Sequence, residues 1–236
     1  MNTATSEVAE ALVLDYGGVI CTTTFERLPM IERGLGLPPG TLAWQGPFDP
    51  DGDPLWRDML ADRISEREYW KRRAAEVGLL VGEVWTEARM LMRQGQDDRP
   101  ERTTRPEAMA TVMAVRESGL GVGVLTNELD LFNGPEFRKK LPILELVHTI
   151  VDATYTGILK PDARAYESIA GALGVPIGRC LMVDDQPRNI EGALRAGMQA
   201  EWFDVTSPAQ SYARVLARLG LDASVVERLQ RESVAS

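Results

Sequence analysis

The sequence predicts an α/β fold: a doubly wound, Rossmann-like parallel sheet, opened after its first strand by an all-helical insertion. Three observations carry this. Short, continuous apolar runs rich in β-branched residues alternate with helical patterns. One long segment near the start has helical periodicity only. Chemistry-bearing polar residues stand at the carboxyl ends of the apolar runs, where open parallel sheets bind ligands.

The elements follow in order. MNTATSEVAEA reads as a short disordered leader: it is polar, has no basic residue and lacks the apolar run of a secretory signal. ALVLD (11–15) is the first strand. From about Thr22 to Arg105 no strand pattern occurs. SEREYWKRRAAEVG (65–78) is a helix opened by a capping box, Ser65 and Glu68, and VGEVWTEARMLMRQ (81–94) reads as another. Their Trp, Met and Leu residues suit helix packing. GPFDPDGDP (46–54) is a turn-rich loop, and its DPDGD lacks the closing Glu that a calcium loop needs. PEAMATVMAVRESG (106–119) starts on a first-turn Pro106 and stops at Gly119.

VGVLTN (122–127), HTIVD (148–152) and CLMVDD (180–185) are the next strands, with QAEWFD (199–204) a weaker fifth. DARAYESIAGALG (162–174) is a helix with Asp162 as N-cap, and PRNIEGALRAG (187–197) is a helix ending at Gly197. Residues 207–236 read as one or two amphipathic helices. The expected division is a core of residues 1–21 and 106–236, with 22–105 inserted as a helical domain.

With 236 residues, 44% apolar and 26% charged, the chain has the composition of an ordinary globular protein. Its net charge of −9, with Lys and Arg spread along it, argues against nucleic acid as a partner. No apolar stretch is long enough to span a membrane. Two cysteines, Cys21 and Cys180, form no disulfide framework, which predicts free thiols and a reducing, cytoplasmic location. The oligomeric state expected is monomer or homodimer.

The strand ends deliver Asp15, then Thr126 and Asn127, then Asp184 and Asp185, with Lys160 in GILKPD ahead of a helix. Singly, each fits a helix cap, a turn or a surface charge. Jointly they describe a Mg²⁺-assisted attack on a phosphoryl group. The hard oxygens of Asp15 and Asp185 suit Mg²⁺, which offsets repulsion between an anionic nucleophile and an anionic phosphate. Thr126 and the backbone N–H of Asn127 can hold phosphoryl oxygens, and Lys160 neutralises charge that develops there. Asp15 would attack phosphorus to give an aspartyl-phosphate. The substrate class expected is a small phosphorylated metabolite, with sugar phosphates among the candidates.

The order LVLDYGGVI, VLTN, ILKPD and MVDDQPRNIEGA resembles the four motifs of the haloacid dehalogenase-like hydrolases, and the insertion resembles that family's helical C1 cap. DYGGVI with DDQPRNIEGA is most similar to the N-terminal phosphatase domain of soluble epoxide hydrolases and to small bacterial sugar-1-phosphate phosphatases. The resemblance implies that Asp15 is nucleophile and metal ligand, and that Asp185 and the Gly17 carbonyl complete the protein's metal ligands. It also implies that Asp184 supports the site from behind, that Thr126 and Asn127 hold phosphate, and that Lys160 ties the motifs together. Asn189, after the acidic pair, is a candidate for orienting the motif, as is Arg188.

Gly17 departs from the family pattern, which has a second Asp there as general acid and base. Glycine retains the carbonyl but has no carboxyl, and a positioned acid–base group typically supplies about 10²–10⁴-fold. Substrates whose leaving group departs without help, such as an anomeric or acyl phosphate, would be favoured. Glu26 and the hydroxyls of Thr22–Thr24 are candidate replacements for the missing group. Two other readings stand beside this one: a metal-free 2-haloacid dehalogenase, and a non-catalytic sensor on the same scaffold.

Overall fold

In the computed structural model, residues 8–94 and 100–226 are described. The first seven residues of the expected leader and residues 227–236 of the expected C-terminal helices lie outside them. Five strands, β1 (Ala11–Leu14), β2 (Gly121–Thr126), β3 (Thr149–Asp152), β4 (Cys180–Asp184) and β5 (Gln199–Trp202), form one sheet in the order β3-β2-β1-β4-β5. Every pairing is parallel, and Leu14 is level with both Val124 and Val183. That register places Asp15 beside the ends of β2 and β4. The order reverses at β1, so the crevice for a ligand opens there.

Buried on both faces, the strands need apolar residues at consecutive positions. Leu12, Leu14, Val122, Val124, Leu181 and Val183 face one layer; Ala11, Val13, Leu125, Cys180 and Met182 face the other.

Four helices lie between β1 and the next core element: α1 (Leu28–Leu35), α2 (Pro54–Leu60), α3 (Glu66–Leu80) and α4 (Ala88–Met92). They enclose their own apolar cluster around Phe25, Trp56, Tyr69, Trp70 and Leu91. The rings meet edge to face, with Phe25–Trp56 centroids 5.2 Å apart and Tyr69–Trp70 centroids 4.9 Å apart. The chain enters and leaves this insertion through one short antiparallel contact: Cys21 bridges Thr104, Thr22 N–H donates to Thr103 O, and Arg105 N–H donates to Ile20 O.

The core continues with α5 (Pro106–Glu117), then after β2 the short helices α6 (Leu129–Asn133), α7 (Pro135–Arg138) and α8 (Pro142–Glu145). After β3 come α9 (Ala153–Thr156) and α10 (Ala163–Leu173); α11 (Pro187–Arg195) follows β4 and α12 (Pro208–Arg218) follows β5. Helices α10 and α11 cover one face of the sheet and α5 and α12 the other, as double winding requires.

Several sequence expectations change in detail. The helix expected over 81–94 shrinks to 88–92. The segment before it folds back so that the Trp85 ring covers Gly78, where an added Cβ would sit 2.9 Å from the ring. Burying that indole outweighs continuing the helix. The capping box at Ser65 is half made: Ser65 Oγ accepts from Glu68 N–H at 3.1 Å, but the Glu68 carboxylate turns to Arg72 at 2.7 Å. Asp53, in the acidic loop, caps α2 through Trp56 N–H and is buried against the Tyr69 hydroxyl and Arg73. Its role is internal to the insertion. The third strand starts at Thr149, and His148 precedes it, its ring Nδ1 accepting from Val122 N–H at 2.9 Å. Both cysteines are buried and unpaired.

Candidate active site

β1 delivers Asp15 to the sheet edge, and Asp15 N–H continues the ladder by donating to Val183 O at 2.9 Å. The chain then turns through Tyr16–Ile20, with Gly18 at φ 75°. A side chain there would be strained, and its Cβ would lie 2.7 Å from Asp185 Oδ2. Gly18 therefore lets the first loop lie directly against the acidic pair.

Lys160, 4% exposed, reaches the centre from the loop before α10. Its ammonium donates to Asp15 Oδ1 at 2.7 Å and to Asp184 Oδ2 at 2.6 Å. Asn127 holds that loop from β2: Lys160 N–H donates to Asn127 Oδ1 at 2.8 Å, and Asn127 Nδ2 donates to Lys160 O at 3.3 Å. Gly192 of α11 allows close approach from behind, since an added Cβ would lie 2.6 Å from Pro161 Cβ. Lys160 thus joins Asp15, Asp184 and Asn127 in one hydrogen-bond network.

One oxygen from each of Asp15, Asp184 and Asp185 lies within 4.8 Å of the others. The three are not equivalent. Asp184 Oδ1 accepts from Gln186 N–H at 2.8 Å and Asn189 Nδ2 at 3.0 Å, while Oδ2 takes Lys160 and Asn189. Its lone pairs are spent. Asp15 Oδ2 has no side-chain partner among the described residues, and the Asp185 carboxylate has no hydrogen bond or ion pair among them. Burial pushes the Asp15 carboxyl up to about 7 despite Lys160, with the Asp184 charge adding to the rise. Burial, then Asp184 and Asp15, hold Asp185 well above the usual carboxylate range. Burial works against the Lys160 charge, yet the two carboxylates outweigh it and keep the ammonium firmly protonated. One ammonium does not balance three carboxylates.

A cavity of about 410 Å³ opens from this centre toward the helical insertion. Asp15, Gly17, Thr126, Asn127, Lys160 and Asp185 all line it. Thr126 has no side-chain partner among the described residues, which leaves its hydroxyl for a ligand. Asn189 Oδ1 is buried without a partner and awaits a donor.

The sequence model of the haloacid dehalogenase-like hydrolases matches residues 10–197. The chain belongs to that family. Among curated relatives, a phosphatase of Mycobacterium tuberculosis, MT3486, is 37% identical over 116 residues, 49% of this chain and 54% of that protein. Phosphoserine phosphatase of Thermus thermophilus is 35% identical over 104 residues, 42% of this chain and 40% of that protein. The chain thus matches about half the length, or less, of these relatives. Among solved structures, the HAD-hydrolase YfnB of Bacillus subtilis bound to magnesium superposes with TM-score 0.64 at 14% identity, over 84% of this chain and 88% of that one. An L-2-haloacid dehalogenase of Xanthobacter autotrophicus gives TM-score 0.55 at 16% identity, over 83% and 77%. Both share the haloacid dehalogenase-like fold.

The site also holds residues that the sequence did not single out, Arg27, Glu66, Arg67 and Glu128, beside Arg188, which it did. Arg27 lines the cavity with Nε on Thr23 O at 3.3 Å, and makes no ion pair among the described residues. Arg67 of α3 pairs with Glu128, just beyond β2, and Arg188 of α11 pairs with Glu66 at 3.0 Å. These two pairs join insertion to core, and no local pattern marks such long-range partners. Glu26 was a candidate proton donor, and the structure corrects this. Arg105 grips its two oxygens at 3.0 and 2.7 Å, and Thr23 N–H donates to Oε2 at 2.7 Å. Glu26 is also absent from the residues that line the cavity.

Removing the central ammonium should be costly. Lys160→Met leaves Asp15 and Asp184 facing each other in a buried setting. The expected loss is about 3–5 kcal/mol of unfolding free energy, read by urea denaturation with chelator present. An unchanged midpoint would mean that this ammonium holds nothing together.

Proposed function

We propose that this chain is a divalent-cation-dependent phosphatase acting on a small phosphomonoester, with Asp15 as nucleophile. The observation that carries the reading is the imbalance at the strand ends: Asp15 Oδ2 and the whole Asp185 carboxylate are left over after Lys160 and Asn189 have satisfied Asp184. Buried carboxylates with no partner call for a cation, and an all-oxygen set suits Mg²⁺. Asp15, Asp185 and the Gly17 carbonyl would hold that ion. When bound it supplies charge neutralisation between nucleophile and phosphate. The phosphatases among the relatives support the same chemistry.

The chain's own residues divide the remaining work. Lys160 fixes the Asp15 carboxylate through its Oδ1, so that the group faces the cavity for attack. Thr126 Oγ1 and the Asn127 backbone N–H hold the phosphoryl oxygens in line. Asp184 holds Lys160, and Asn189 holds Asp184. Residues 22–105 act as a cap that encloses the leaving group and excludes water. The attack breaks the bond from phosphorus to the leaving oxygen, and water then cleaves the aspartyl-phosphate to return Asp15.

A test separates this from both rival readings. Asp185→Asn removes one of three mutually repelling carboxylates, so without metal the variant should melt above the wild type. Mg²⁺ should raise the wild-type melting temperature and leave the variant's unchanged, and phosphate release should need both Mg²⁺ and Asp185. Halide release from 2-haloacids without Mg²⁺ would favour the dehalogenase reading. Absence of any turnover would favour the sensor.

A further inference from the structure

We infer that the substrate is an aryl phosphate, a phosphomonoester whose leaving group is a planar, largely apolar aromatic alcohol. This rests on the phosphatase reading and names its substrate class. Two independent features lead to it.

The first is the lining of the cavity away from the carboxylates. Phe25, Trp56, Trp70, Met92, Phe132 and Phe137 surround that end. The polar groups that the insertion turns toward it are mostly engaged already. Thr24 Oγ1 donates to Met92 Sδ at 3.4 Å and accepts from Arg27 at 3.3 Å. Thr23 Oγ1 donates to Glu26, and Ser65 Oγ caps α3. Glu66 and Arg67 are paired with Arg188 and Glu128. The Thr22 hydroxyl, the Arg27 guanidinium and the indole N–H groups of Trp56 and Trp70 keep capacity on this side, among the described residues. A sugar brings several hydroxyls, each of which must exchange water for a protein partner or lose affinity. Phe25, Met92, Phe132 and Phe137 offer such hydroxyls nothing. An aromatic ring needs no such partner, and it stacks edge to face among rings of this kind.

The second feature is Gly17. Position 17 offers no carboxyl to protonate the departing oxygen, and Glu26 is committed to Arg105. An aryloxide leaves with its electron pair and needs no proton in the transition state. An alkoxide does need one. In balance, the Asp15 carboxylate bonds to phosphorus while the bond from phosphorus to the aryl oxygen breaks, releasing aryloxide. Water then attacks phosphorus, the bond to Asp15 breaks, and dihydrogen phosphate forms and gives one proton to the aryloxide. The missing acid favours a leaving group that departs unaided, and the aromatic lining favours an arene among such groups.

The test measures kcat and KM with Mg²⁺ for substituted phenyl phosphates, acetyl phosphate, a hexose phosphate and glycerol phosphate. The expected result is kcat/KM for phenyl phosphates at least about 10²-fold above the alkyl and sugar esters. Acetyl phosphate also leaves without a proton but cannot fill the aromatic end, so its KM should exceed that of phenyl phosphate by about tenfold or more. Phe132→Ala should raise KM for phenyl phosphates alone, leaving inhibition by orthophosphate and KM for acetyl phosphate unchanged. That comparison also shows the variant is folded. Equal turnover of hexose and phenyl phosphates, still dependent on Asp15 and Mg²⁺, would overturn the inference and leave the phosphatase reading standing. No phosphate release from any ester would overturn both.

Discussion

Asp15→Asn should abolish phosphate release, with kcat falling by about 10⁴-fold or more, the scale on which covalent catalysts lose rate without their nucleophile. The amide keeps the shape of the carboxylate and is a very poor nucleophile toward phosphorus. It can still accept from Lys160 through its carbonyl oxygen, so the loop before α10 should stay in place. The variant also removes one of three crowded carboxylates, so its fold should hold at least as well as that of the wild type. Steady-state phosphate release and a thermal melt check the two halves. A loss of rate with an intact melt is expected, and retained rate would remove Asp15 from the chemistry.

Gly17→Asp should work in the opposite direction. Backbone angles of φ −70° and ψ 127° suit any residue, and a Cβ at this position meets only Asp15 Oδ2, at 3.9 Å. The carboxyl therefore has room, two residues beyond the nucleophile and facing the cavity. For alkyl phosphates, whose leaving oxygen needs a proton, kcat should rise by about 10²–10⁴-fold. For nitrophenyl phosphate the gain should be small, because its leaving group departs unaided. A uniform change across both classes would show that the new carboxyl alters metal or substrate binding rather than proton transfer. No change for either would mean that another group already supplies the proton.

The strand ends were legible because a parallel sheet converts sequence order into position. Asp15, Thr126 and Asp184 each close an apolar run, and the register of β1 with β2 and β4 then brings them to one edge. Helices with clear stops, such as those ending at Gly174 and at the Gly119 turn, were equally readable. What could not be read depends on long-range partners. The division of labour between Asp184 and Asp185 is set by Lys160, Gln186 and Asn189, and adjacent aspartates look alike in sequence. The commitment of Glu26 to Arg105 spans the whole insertion. The apolar end of the cavity was read only as helix packing, because the same rings serve both purposes: Trp70 packs in the insertion's cluster and also faces the cavity. The short α4 reflects tertiary override of a good helical period by the burial of Trp85.

The central claim is that phosphorus is transferred to Asp15. It is tested most directly by acid-quenching the protein during turnover of nitrophenyl phosphate with Mg²⁺ and mapping the peptides by mass. Without an acid–base residue at position 17 the second step is slow, so the peptide carrying Asp15 should gain the mass of one phosphoryl group, and Asp15→Asn should gain none. A phosphoryl group on any other residue, or an unmodified chain throughout turnover, would contradict the account.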